Sequence, residues 1–318
     1  MKSVMIRNRD MSWDIAADLH FPPHFDTAKS YPAIVSAHPI GSCKEQTSGN
    51  VYGAQLAEQG FVVIAFDASF QGASGGEPRF IEDPVQRVED FRHVVDYLVT
   101  LPYVDENRIG VLGICGGGGY AINATMTERR IKALGTVTGV NYGRLMREGF
   151  SGYAPIAVLE AMAQQRTAEA RGAALKVDDL LPPSPEEARR RGLTEIDLVE
   201  ATDYYRTPRG QKPHGANRSL FSHQGAAVGW DAFHLAEVLL TQPMMVVVGD
   251  KVGAFGAYRD GTKIVGRARS EHRDLVVVPG VSHYDLYDKP EAVAAALARL
   301  IPFYRQHLGE ARAADKAA

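Results

Sequence analysis

The stretch that decides the fold is residues 108–124, which read RIGVLGICGGGGYAINA. Residues 109–114 form a short apolar run rich in β-branched side chains, as expected of a strand buried on both faces of a parallel sheet. Four glycines follow Cys115, and an apolar helix can begin at residue 120. A strand, a tight turn and a helix, with glycine two residues to either side of Cys115, predict a nucleophile elbow that carries cysteine where serine is usual.

Two other interpretations share these local features: a glycine-rich phosphate loop, and a plain tight turn with a buried structural cysteine. A phosphate loop would contain Gly-Lys-Ser or Gly-Lys-Thr, or it would carry the spaced dinucleotide fingerprint near the start of the chain. The sequence has neither motif in those places. The elbow is therefore the favoured interpretation, with a turn that lifts the Cys115 side chain above the sheet.

Length, charge and cysteine content narrow the class of protein. A chain of 318 residues can bury a large core, and open α/β folds reach this size as one domain with insertions. A formal net charge of −3 gives no reason to expect a nucleic acid or an anionic membrane as partner. Cys43 and Cys115 do not make a disulfide framework, and we find neither a signal peptide nor an apolar run of membrane-spanning length. We therefore expect a cytoplasmic protein.

Before the elbow, the hydrophobic pattern alternates between strands and helices. We expect strands at residues 3–7, 13–20, 33–37 and 61–66, and helices at residues 50–59 and 84–101. The first two strands form an antiparallel lead-in, and the rest is a β-α-β-α-β series that ends at the elbow strand. This alternation predicts an α/β fold with a mostly parallel central sheet and helices on both faces.

The pattern changes after a further strand predicted at residues 131–140. Residues 141–230 have no β-branched run and are rich in charges, alanines and prolines. We predict that they form a helical cap over the strand ends, inserted into a core made of residues 1–140 and 231–310. The alternative is a surface excursion with no role in substrate binding.

The alternation of strands and helices resumes after this insertion. Strands are expected at residues 243–249 and 275–279, followed by a helix at residues 290–307. Residues 311–318 are rich in alanine and charge, and we expect them to be a frayed tail.

A nucleophile on an elbow needs a base, and on this kind of scaffold the chain order is nucleophile, acid, histidine. His283 lies in the sequence Gly-Val-Ser-His-Tyr-Asp, directly after the last predicted strand and before the last helix. This is the position in which the base of such a triad belongs. A solvated loop histidine is the alternative in a chain with ten histidines.

The acid is harder to identify from the sequence. It should follow the strand that ends at Gly249, and the usual place is a few residues further on, where this sequence has Val252 and Gly253. Asp250, at the tip of the strand, is the favoured candidate, and Asp260 is the second. A cysteine–histidine pair can also react with only a weak orienting group, because a thiol ionises far more readily than a hydroxyl. A site with neither aspartate therefore remains an alternative.

The oxyanion hole would combine the backbone N–H of Gly116, which follows the nucleophile, with an N–H from the loop after the strand at residues 33–37. Ile40 is the expected second donor by its position. His38 would fix the path of this loop, and a buried histidine satisfied by a backbone carbonyl is a better interpretation than direct catalysis. Cys43 is interpreted as a plain buried thiol.

Further stretches show a family pattern together with the Cys115 elbow. They are His38-Pro39-x-Gly41 with Lys44-Glu45-Gln46, Phe66-Asp67-Ala68-Ser69 with Gly72-x-Ser74-Gly75-Gly76-Glu77, residues 203–210 and residues 282–288. Across nearly its whole length, the chain resembles the dienelactone-hydrolase-like branch of the α/β-hydrolases, and more closely its bacterial and fungal hydrolases that carry a helical cap. Dienelactone hydrolase itself has a similar Gly-x-Cys-x-Gly elbow and a Cys-His-Asp triad, but it is smaller and lacks the cap. Fungal relatives in this group include enzymes that act on polyketide and peptide thioesters, so the resemblance implies a wide range of substrates.

Two classes of function follow. The first is a cofactor-independent hydrolase, in which Cys115 attacks an ester, lactone or thioester, His283 acts as base with Asp250 behind it, and an acyl-thioenzyme forms. The second is an acyltransferase, or a ligand-binding homologue with a vestigial triad. We expect no metal, since the sequence has no paired-cysteine spacing and no predicted helix with a His-x-x-x-His motif. The expected partner is a small-molecule acyl substrate. We expect no binding to nucleic acid or to a membrane, and the chain could form a homo-oligomer.

Overall fold

A nine-stranded sheet forms the centre of the computed structural model, which describes residues 1–150, 152–310 and 312–313. The strands in chain order are β1 (Lys2–Ile6), β2 (Ile15–His20), β3 (Lys29–Ala37), β4 (Val62–Phe66), β5 (Val104–Ile114), β6 (Ile131–Val137), β7 (Val177–Asp179), β8 (Arg218–Leu220), β9 (Met244–Gly249), β10 (Arg273–Val278) and β11 (Arg312–Ala313). Of these, β7 and β8 form a separate two-stranded antiparallel sheet.

The central sheet is mostly parallel. Its strand order is β1-β2-β4-β3-β5-β6-β9-β10, with β11 paired to β3. The neighbours from β4 to β10 run parallel, whereas β1 and β2 run antiparallel to their neighbours. Every residue of β4 and of β9 is buried, as their unbroken apolar runs predict for strands covered on both faces. The antiparallel lead-in and the parallel sheet expected from the sequence are both present.

Helices of different lengths surround the sheet. They are α1 (Ala54–Glu58), α2 (Pro84–Val99), α3 (Gly116–Thr127), α4 (Tyr142–Leu145), α5 (Pro155–Ala170), α6 (Pro185–Arg190), α7 (Ile196–Arg206), α8 (Gly225–Gly229), α9 (Ala236–Leu239), α10 (Ala257–Arg267), α11 (Asp285–Asp288) and α12 (Pro290–Leu308). Three turns of other helical types lie at Thr47–Gly53, Met146–Phe150 and Phe221–His223. Helices α2, α3, α10 and α12 pack against strands of the central sheet.

Local sequence explains where α2 begins. The Asp83 side chain accepts hydrogen bonds from the N–H groups of Val85 and Gln86, and Pro84 occupies the first helical position, where its missing N–H costs nothing. Strand β5, by contrast, begins five residues earlier than the apolar run indicates. Four of its first five residues, from Asp105 to Arg108, are polar and none of the five is buried, so hydrophobicity alone does not reveal them.

The segment between β6 and β9 is largely helical, as its composition predicts. It contains α4 to α9 and also the short β7–β8 pair, which was not expected. Strands of three residues are too short to show a periodic pattern. The division into a core and a cap at residues 141 and 230 remains a prediction.

The end of the chain lies partly outside the described residues. Arg312 and Ala313 pair antiparallel with Ser30 and Lys29, and the rest of the predicted frayed tail, residues 311 and 314–318, is not described. Within the described ranges, none of the helices combines the length and the hydrophobicity needed to cross a membrane.

Candidate active site

Cys115 lies on a sharp turn between β5 and α3. Its backbone has φ 53° and ψ −123°, a conformation that a residue with a side chain rarely adopts. A Cβ atom on Gly113 would lie 2.4 Å from the carbonyl oxygen of Gly117, and one on Gly117 would lie 2.6 Å from the carbonyl oxygen of His38. The strand and the helix therefore approach so closely that only glycine fits on either side of the cysteine, as the elbow interpretation requires.

The Cys115 thiol is buried, with 6% of the residue exposed. Burial raises the pKa of Cys115 to about 11, although the Tyr287 hydroxyl and the backbone N–H groups of Gly116 and Ile40 act in the lowering direction. The group is therefore a neutral thiol at pH 7 and needs a base to become a nucleophile. The ease with which a free thiol ionises, on which the sequence argument relied, is lost through this burial.

Two backbone N–H groups act on the same sulfur atom. Gly116 is the first residue of α3, and Ile40 lies in the loop that follows β3. An acyl group attached to Cys115 would bring its carbonyl oxygen next to these donors, as in an oxyanion hole. The structure thus brings together the nucleophile and the two donors expected from the sequence.

His38 holds the loop that carries Ile40. Its Nδ1 lies 2.6 Å from the carbonyl oxygen of Pro39, and its Nε2 lies 3.0 Å from the backbone N of Ala68 and 3.0 Å from a guanidinium nitrogen of Arg87. Burial, together with the positive charge of Arg87, holds the pKa of His38 well below its usual value. The ring is thus a neutral structural group satisfied by a backbone carbonyl, which agrees with the interpretation preferred from the sequence.

Cys43 provides an internal contrast to Cys115. It is fully buried, and burial raises its pKa strongly. It is also absent from the residues that line the cavity above Cys115. Its surroundings are those of a structural thiol.

His283 lies in the loop between β10 and α11 and is 5% exposed. Its ring packs against Tyr284, Tyr287 and Phe255, with ring centroids 5.1, 5.4 and 5.5 Å apart. Burial lowers the pKa of His283 to about 3, so the ring is neutral at pH 7 and is a weaker base than an exposed histidine. Nε2 lies 3.4 Å from Oγ1 of Thr138, whereas Nδ1 has no hydrogen-bond partner among the described residues.

The end of β6 links this histidine loop to the elbow. The backbone N–H of Cys115 donates to the carbonyl oxygen of Val137 at 3.0 Å, and the next residue, Thr138, contacts His283. Thr138 is itself held by a hydrogen bond from its N–H to Val247. The predicted nucleophile and base therefore lie at the same edge of the sheet, although no direct hydrogen bond joins these two described side chains.

The structure brings neither predicted acid to His283. Asp250 is exposed, and its Oδ1 accepts a hydrogen bond of 2.6 Å from the N–H of Gly280. Asp260 is buried, but its carboxylate binds Arg144, with 2.7 Å between Nη2 and Oδ2. Although Asp250 lies at the tip of a strand, its side chain does not point toward His283. Its carboxylate accepts a hydrogen bond from the backbone of the neighbouring turn instead.

One carboxylate near the histidine was not expected from the sequence. Asp197, in α7, is 1% exposed, and its Oδ2 accepts a hydrogen bond of 2.7 Å from the N–H of Phe255. Its Oδ1 has no hydrogen-bond partner among the described residues, and burial raises the pKa of Asp197 to about 7. The available signal was indirect: Val252 and Gly253 occupy the place where an acid is usual, so a carboxylate partner for His283 would have to come from another part of the chain.

A cavity opens above Cys115, and its walls are mostly aliphatic and aromatic side chains. The segment between β6 and β9 supplies about half of them, including Tyr142, Leu145, Leu180, Leu181, Leu198 and Tyr205. Such a cavity suits an apolar acyl group. No group of three or more histidine, cysteine or acidic side chains in the described part of the chain is arranged to hold a metal ion.

Comparison with known proteins gives consistent matches. The profile described as "Alpha/beta hydrolase family" matches residues 46–296. The chain is 41% identical over 298 residues to the uncharacterized protein YcjY of Escherichia coli K12, which covers 92% of this chain and 94% of that protein. The crystal structure of the hypothetical protein PA2218 from Pseudomonas aeruginosa matches with a TM-score of 0.86 and 33% identity, covering 96% of this chain and 93% of that chain. The α/β-hydrolase fold predicted from the sequence is thereby confirmed.

A more distant match extends over most of the chain as well. The polyketide transferase af380 of Aspergillus fumigatus is 23% identical over 283 residues, which cover 87% of this chain and 90% of that protein. The matches do not separate a dienelactone-hydrolase-like branch from the rest of the family. That finer assignment stays a prediction.

Proposed function

Because this chain belongs to the alpha/beta hydrolase family, we propose that it is a cofactor-independent enzyme that cleaves a carboxylic ester, lactone or thioester with Cys115 as nucleophile. The observation that carries the proposal is the setting of Cys115, which has a positive φ on an elbow and has the N–H groups of Gly116 and Ile40 at its sulfur. A buried cysteine with a purely structural role needs neither the strained backbone nor the two donors.

In the first half-reaction, the sulfur attacks the carbonyl carbon while His283 accepts the thiol proton. Since burial keeps both groups neutral at rest, the proton leaves as negative charge passes from sulfur to the carbonyl oxygen. The N–H groups of Gly116 and Ile40 donate to that oxygen. The imidazolium then returns the proton to the leaving oxygen or sulfur, and the acyl group remains on Cys115.

The second half-reaction repeats these steps with water. Water attacks the thioester carbonyl and gives a proton to His283, and the oxyanion forms again beside the same two donors. When the intermediate collapses, the carbon–sulfur bond breaks and the Cys115 sulfur recovers the proton. The carboxylic acid then leaves the site.

The chemistry and the cavity together favour particular substrates. An amide nitrogen must be protonated before it leaves, whereas an alkoxide or a thiolate leaves more readily, so esters, lactones and thioesters rank above peptides. The apolar side chains around Cys115 favour an apolar acyl group. The proposed partner is thus a small-molecule acyl compound.

We also propose that residues 141–230 act as a cap on the site. The support is that Leu180, Leu181, Leu198 and Tyr205 all belong to this segment and line the cavity above Cys115. Acyl-chain preference should then depend on these side chains. A surface excursion would contribute no lining residues.

Acyl transfer to a second substrate is a second candidate. The observation in its favour is the low polarity of the cavity, which disfavours water as the attacking group while an acyl-thioenzyme is present. The similarity to a protein named polyketide transferase points in the same direction. Only the identity of the acceptor distinguishes this candidate from hydrolysis.

The decisive experiment is pre-steady-state hydrolysis of p-nitrophenyl acetate. The wild-type protein and the Cys43→Ala control should release a burst of nitrophenol equivalent to the concentration of active sites, and Cys115→Ala should release none. Trapping of the acyl group on Cys115, seen by mass spectrometry of the quenched protein, would identify the intermediate. Full turnover by Cys115→Ala would contradict the proposal.

The same assay separates hydrolysis from transfer. Added alcohols or thiols should leave the amount of free acid unchanged if water is the natural acceptor. Formation of a new ester or thioester in preference to the acid would favour the transferase. The rate of the burst is the internal reference, because it precedes the step at which the two candidates differ.

A further inference from the structure

We propose that Asp197, carried by helix α7 of the inserted segment, is the positioning carboxylate for His283 and replaces an acid on the loop after β9. This inference rests on the proposed function of Cys115 and His283, which it deepens. It gives the inserted segment, residues 141–230, a role in the reaction, whereas the sequence predicted only a cap over the strand ends.

The Asp197 carboxylate occupies the space beside Gly253. A Cβ atom built on Gly253 would lie 2.3 Å from Cγ of Asp197 and 2.3 to 2.4 Å from its carboxylate oxygens. Gly253 is one of the two residues at which this fold usually carries the acid. The carboxylate of Asp197 therefore stands within the space of the side chain that residue 253 lacks. Glycine at this position is what lets Asp197 enter.

His283 and Asp197 each have one buried polar atom without a partner among the described residues. Nδ1 of His283 and Oδ1 of Asp197 both lack a hydrogen bond among the described residues, although both side chains are at least 95% buried. The two side chains line one small cavity, together with Thr138 and the end of β9 at Gly249. Buried polar atoms are rarely left without partners, and a donor and an acceptor on one cavity can satisfy each other.

Hydrogen bonds hold α7 against the loop after β9 and against the histidine loop. Its N-cap residue Glu195 accepts from the N–H of Ala254 at 2.7 Å, and Asp197 accepts from the next N–H along that loop. Glu200, one turn further on, accepts from the hydroxyl of Ser282 at 2.6 Å. Helix α7 is thus bound both to the loop after β9 and to the residue before His283. This attachment fixes Asp197 relative to the histidine ring.

The role follows from the path of the proton. When the Cys115 proton reaches Nε2 of His283, the ring becomes an imidazolium and its Nδ1–H needs an acceptor. Oδ1 of Asp197 can take that hydrogen bond, keep the ring oriented and stabilise its charge. The carboxylate does not itself gain the proton. Neither Asp250 nor Asp260 can serve, since both are bound elsewhere.

Burial, a backbone N–H and nearby carboxylates together set the pKa of Asp197. Burial raises its pKa to about 7, the N–H of Phe255 lowers it, and Glu195 and Glu200 raise it further. Lys251 and Tyr258 also line the cavity. The ionised form needed for orientation is thus gained as pH rises through about 7.

The test uses the full-length protein and hydrolysis of a p-nitrophenyl ester. Asp197→Asn should lower kcat roughly 100- to 1000-fold, less than the ~10⁴-fold seen when a serine enzyme loses its acid, and should change KM less than about threefold. Asp250→Asn is the matched control and should stay within about twofold. Wild-type kcat should rise with pH through about 7, as Asp197 ionises. This rise should be missing from the pH–rate profile of Asp197→Asn. If Asp197 had a merely structural role, the variant would keep the rise.

A rescue makes the test specific. Asp197→Ala combined with Gly253→Asp moves the carboxylate from α7 to the loop after β9. The new aspartate side chain can occupy the space that the Asp197 carboxylate has left. Gly253 is not among the glycines with positive φ, so an aspartate is tolerated there. The double variant should regain at least about tenfold of the lost kcat, and the control pair Asp197→Ala with Gly253→Asn should regain none.

The outcomes separate this inference from the function on which it rests. Normal kcat with an unchanged pH profile in Asp197→Asn, while Cys115→Ala is inactive, would overturn the assignment of Asp197 and leave the hydrolase proposal intact. Full activity in Cys115→Ala would overturn the function itself. Should Asp197→Asn fail to fold by circular dichroism, a folded double variant without rescue would still overturn the assignment.

Discussion

The two sides of the candidate site obtain their residues in different ways. On the nucleophile side, Cys115, Gly116 and Ile40 lie within a few residues of the ends of β5 and β3, and backbone N–H groups act on the sulfur. On the base side, His283 follows β10, but the carboxylate that shares its cavity, Asp197, comes from α7 in the inserted segment. A short local pattern specifies the first side, and the docking of a distant helix completes the second.

This difference reflects what each side requires. An elbow and an oxyanion hole are features of backbone geometry, and the glycine spacing that permits them is visible in the sequence. A carboxylate can approach a histidine from any element that packs beside it, so its place in the chain is not fixed by the fold. If Asp197 has the role proposed above, the inserted segment is part of the reaction as well as a wall of the cavity.

The largest expected effect comes from deleting residues 149–213 and joining the ends with a short linker. The deletion removes Asp197 and also Tyr204, whose ring packs 5.1 Å from that of Tyr287 and 6.1 Å from that of Tyr284. We expect ester hydrolysis to fall at least ~10³-fold, because the orienting carboxylate is lost. Loss of the aromatic packing should lower the free energy of unfolding by several kcal/mol, measured by urea denaturation.

Replacement of α5 by a flexible linker is the matched control for this deletion. Of the residues in α5, only Met162 is buried, and none of them lines the cavity above Cys115. This variant should keep its turnover within about threefold of the wild type, since it leaves α7 in place. Equal losses of turnover in the two variants would mean that the segment acts only through overall stability, contrary to the comparison drawn here.

The second prediction concerns the nucleophile side and the ionisation of its thiol. Because burial raises the pKa of Cys115 to about 11, alkylation of the folded protein by iodoacetamide should speed up about tenfold per pH unit, or ~10³-fold from pH 7 to pH 10. Stopped-time labelling with mass spectrometry measures the rate at each thiol. Cys43 is the internal control, and it should remain unlabelled as long as the protein is folded, since none of its surface is exposed.

A different pH dependence of this labelling would be informative. Fast labelling of Cys115 at pH 7 that hardly changes up to pH 10 would mean that a thiolate already exists in the resting protein. The neutral thiol and imidazole inferred from burial would then be wrong. The first half-reaction would begin from an ion pair.

The third prediction uses stability to examine the base side. The folded-state pKa of Asp197, about 7, is above its unfolded value of 3.8, so its contribution to stability is fully present below pH 3.8 and is lost as pH rises to about 7. Asparagine does not ionise and can still accept from the N–H of Phe255. Asp197→Asn should therefore be more stable than the wild type by about 1–4 kcal/mol above pH 7, and the difference should disappear near pH 4.

Chemical denaturation at pH 4, 6 and 8 measures this difference. Asp250→Asn, at an exposed carboxylate, should show a much smaller difference, and the titration of His283 in the unfolded state is the same in both proteins. A variant that is more stable and yet less active would be typical of a functional carboxylate. Asp197→Asn less stable than the wild type at pH 8 would instead indicate that the carboxylate holds the structure together.

Most of the fold follows from the sequence because its elements are locally encoded. The buried runs of β4 and β9 are predicted to within one residue, and Pro84 marks the start of α2. The pair β7–β8 was missed because each strand has only three residues. The inserted segment as a whole has too little periodicity for its packing to be derived from the sequence.

The candidate site shows the same limit at the level of single residues. Cys115, Gly116 and Ile40 could be named from glycine spacing and strand order, and His283 from its place after the last strand. Burial makes Cys115 a neutral thiol, and the side chains that line the cavity above it, such as Tyr205 and Tyr287, come from distant parts of the chain that no local pattern reveals. The sequence also gave no reason to look for an acid in α7.

The smallest expected effect is that of Asp250→Asn. Asp250 had the best sequence position for the acid, but its Oδ1 binds the N–H of Gly280 at the turn that leads to His283. Asparagine keeps an acceptor there, so we expect kcat within about twofold of the wild type and a change in the free energy of unfolding below about 0.5 kcal/mol. Asp250→Ala removes the acceptor and should cost about 1 kcal/mol, which measures the hydrogen bond itself.

If Asp250→Asn instead lowers kcat tenfold or more and Asp197→Asn has no effect, the strand end supplies the acid after all, and the two sides of the site do not differ as described.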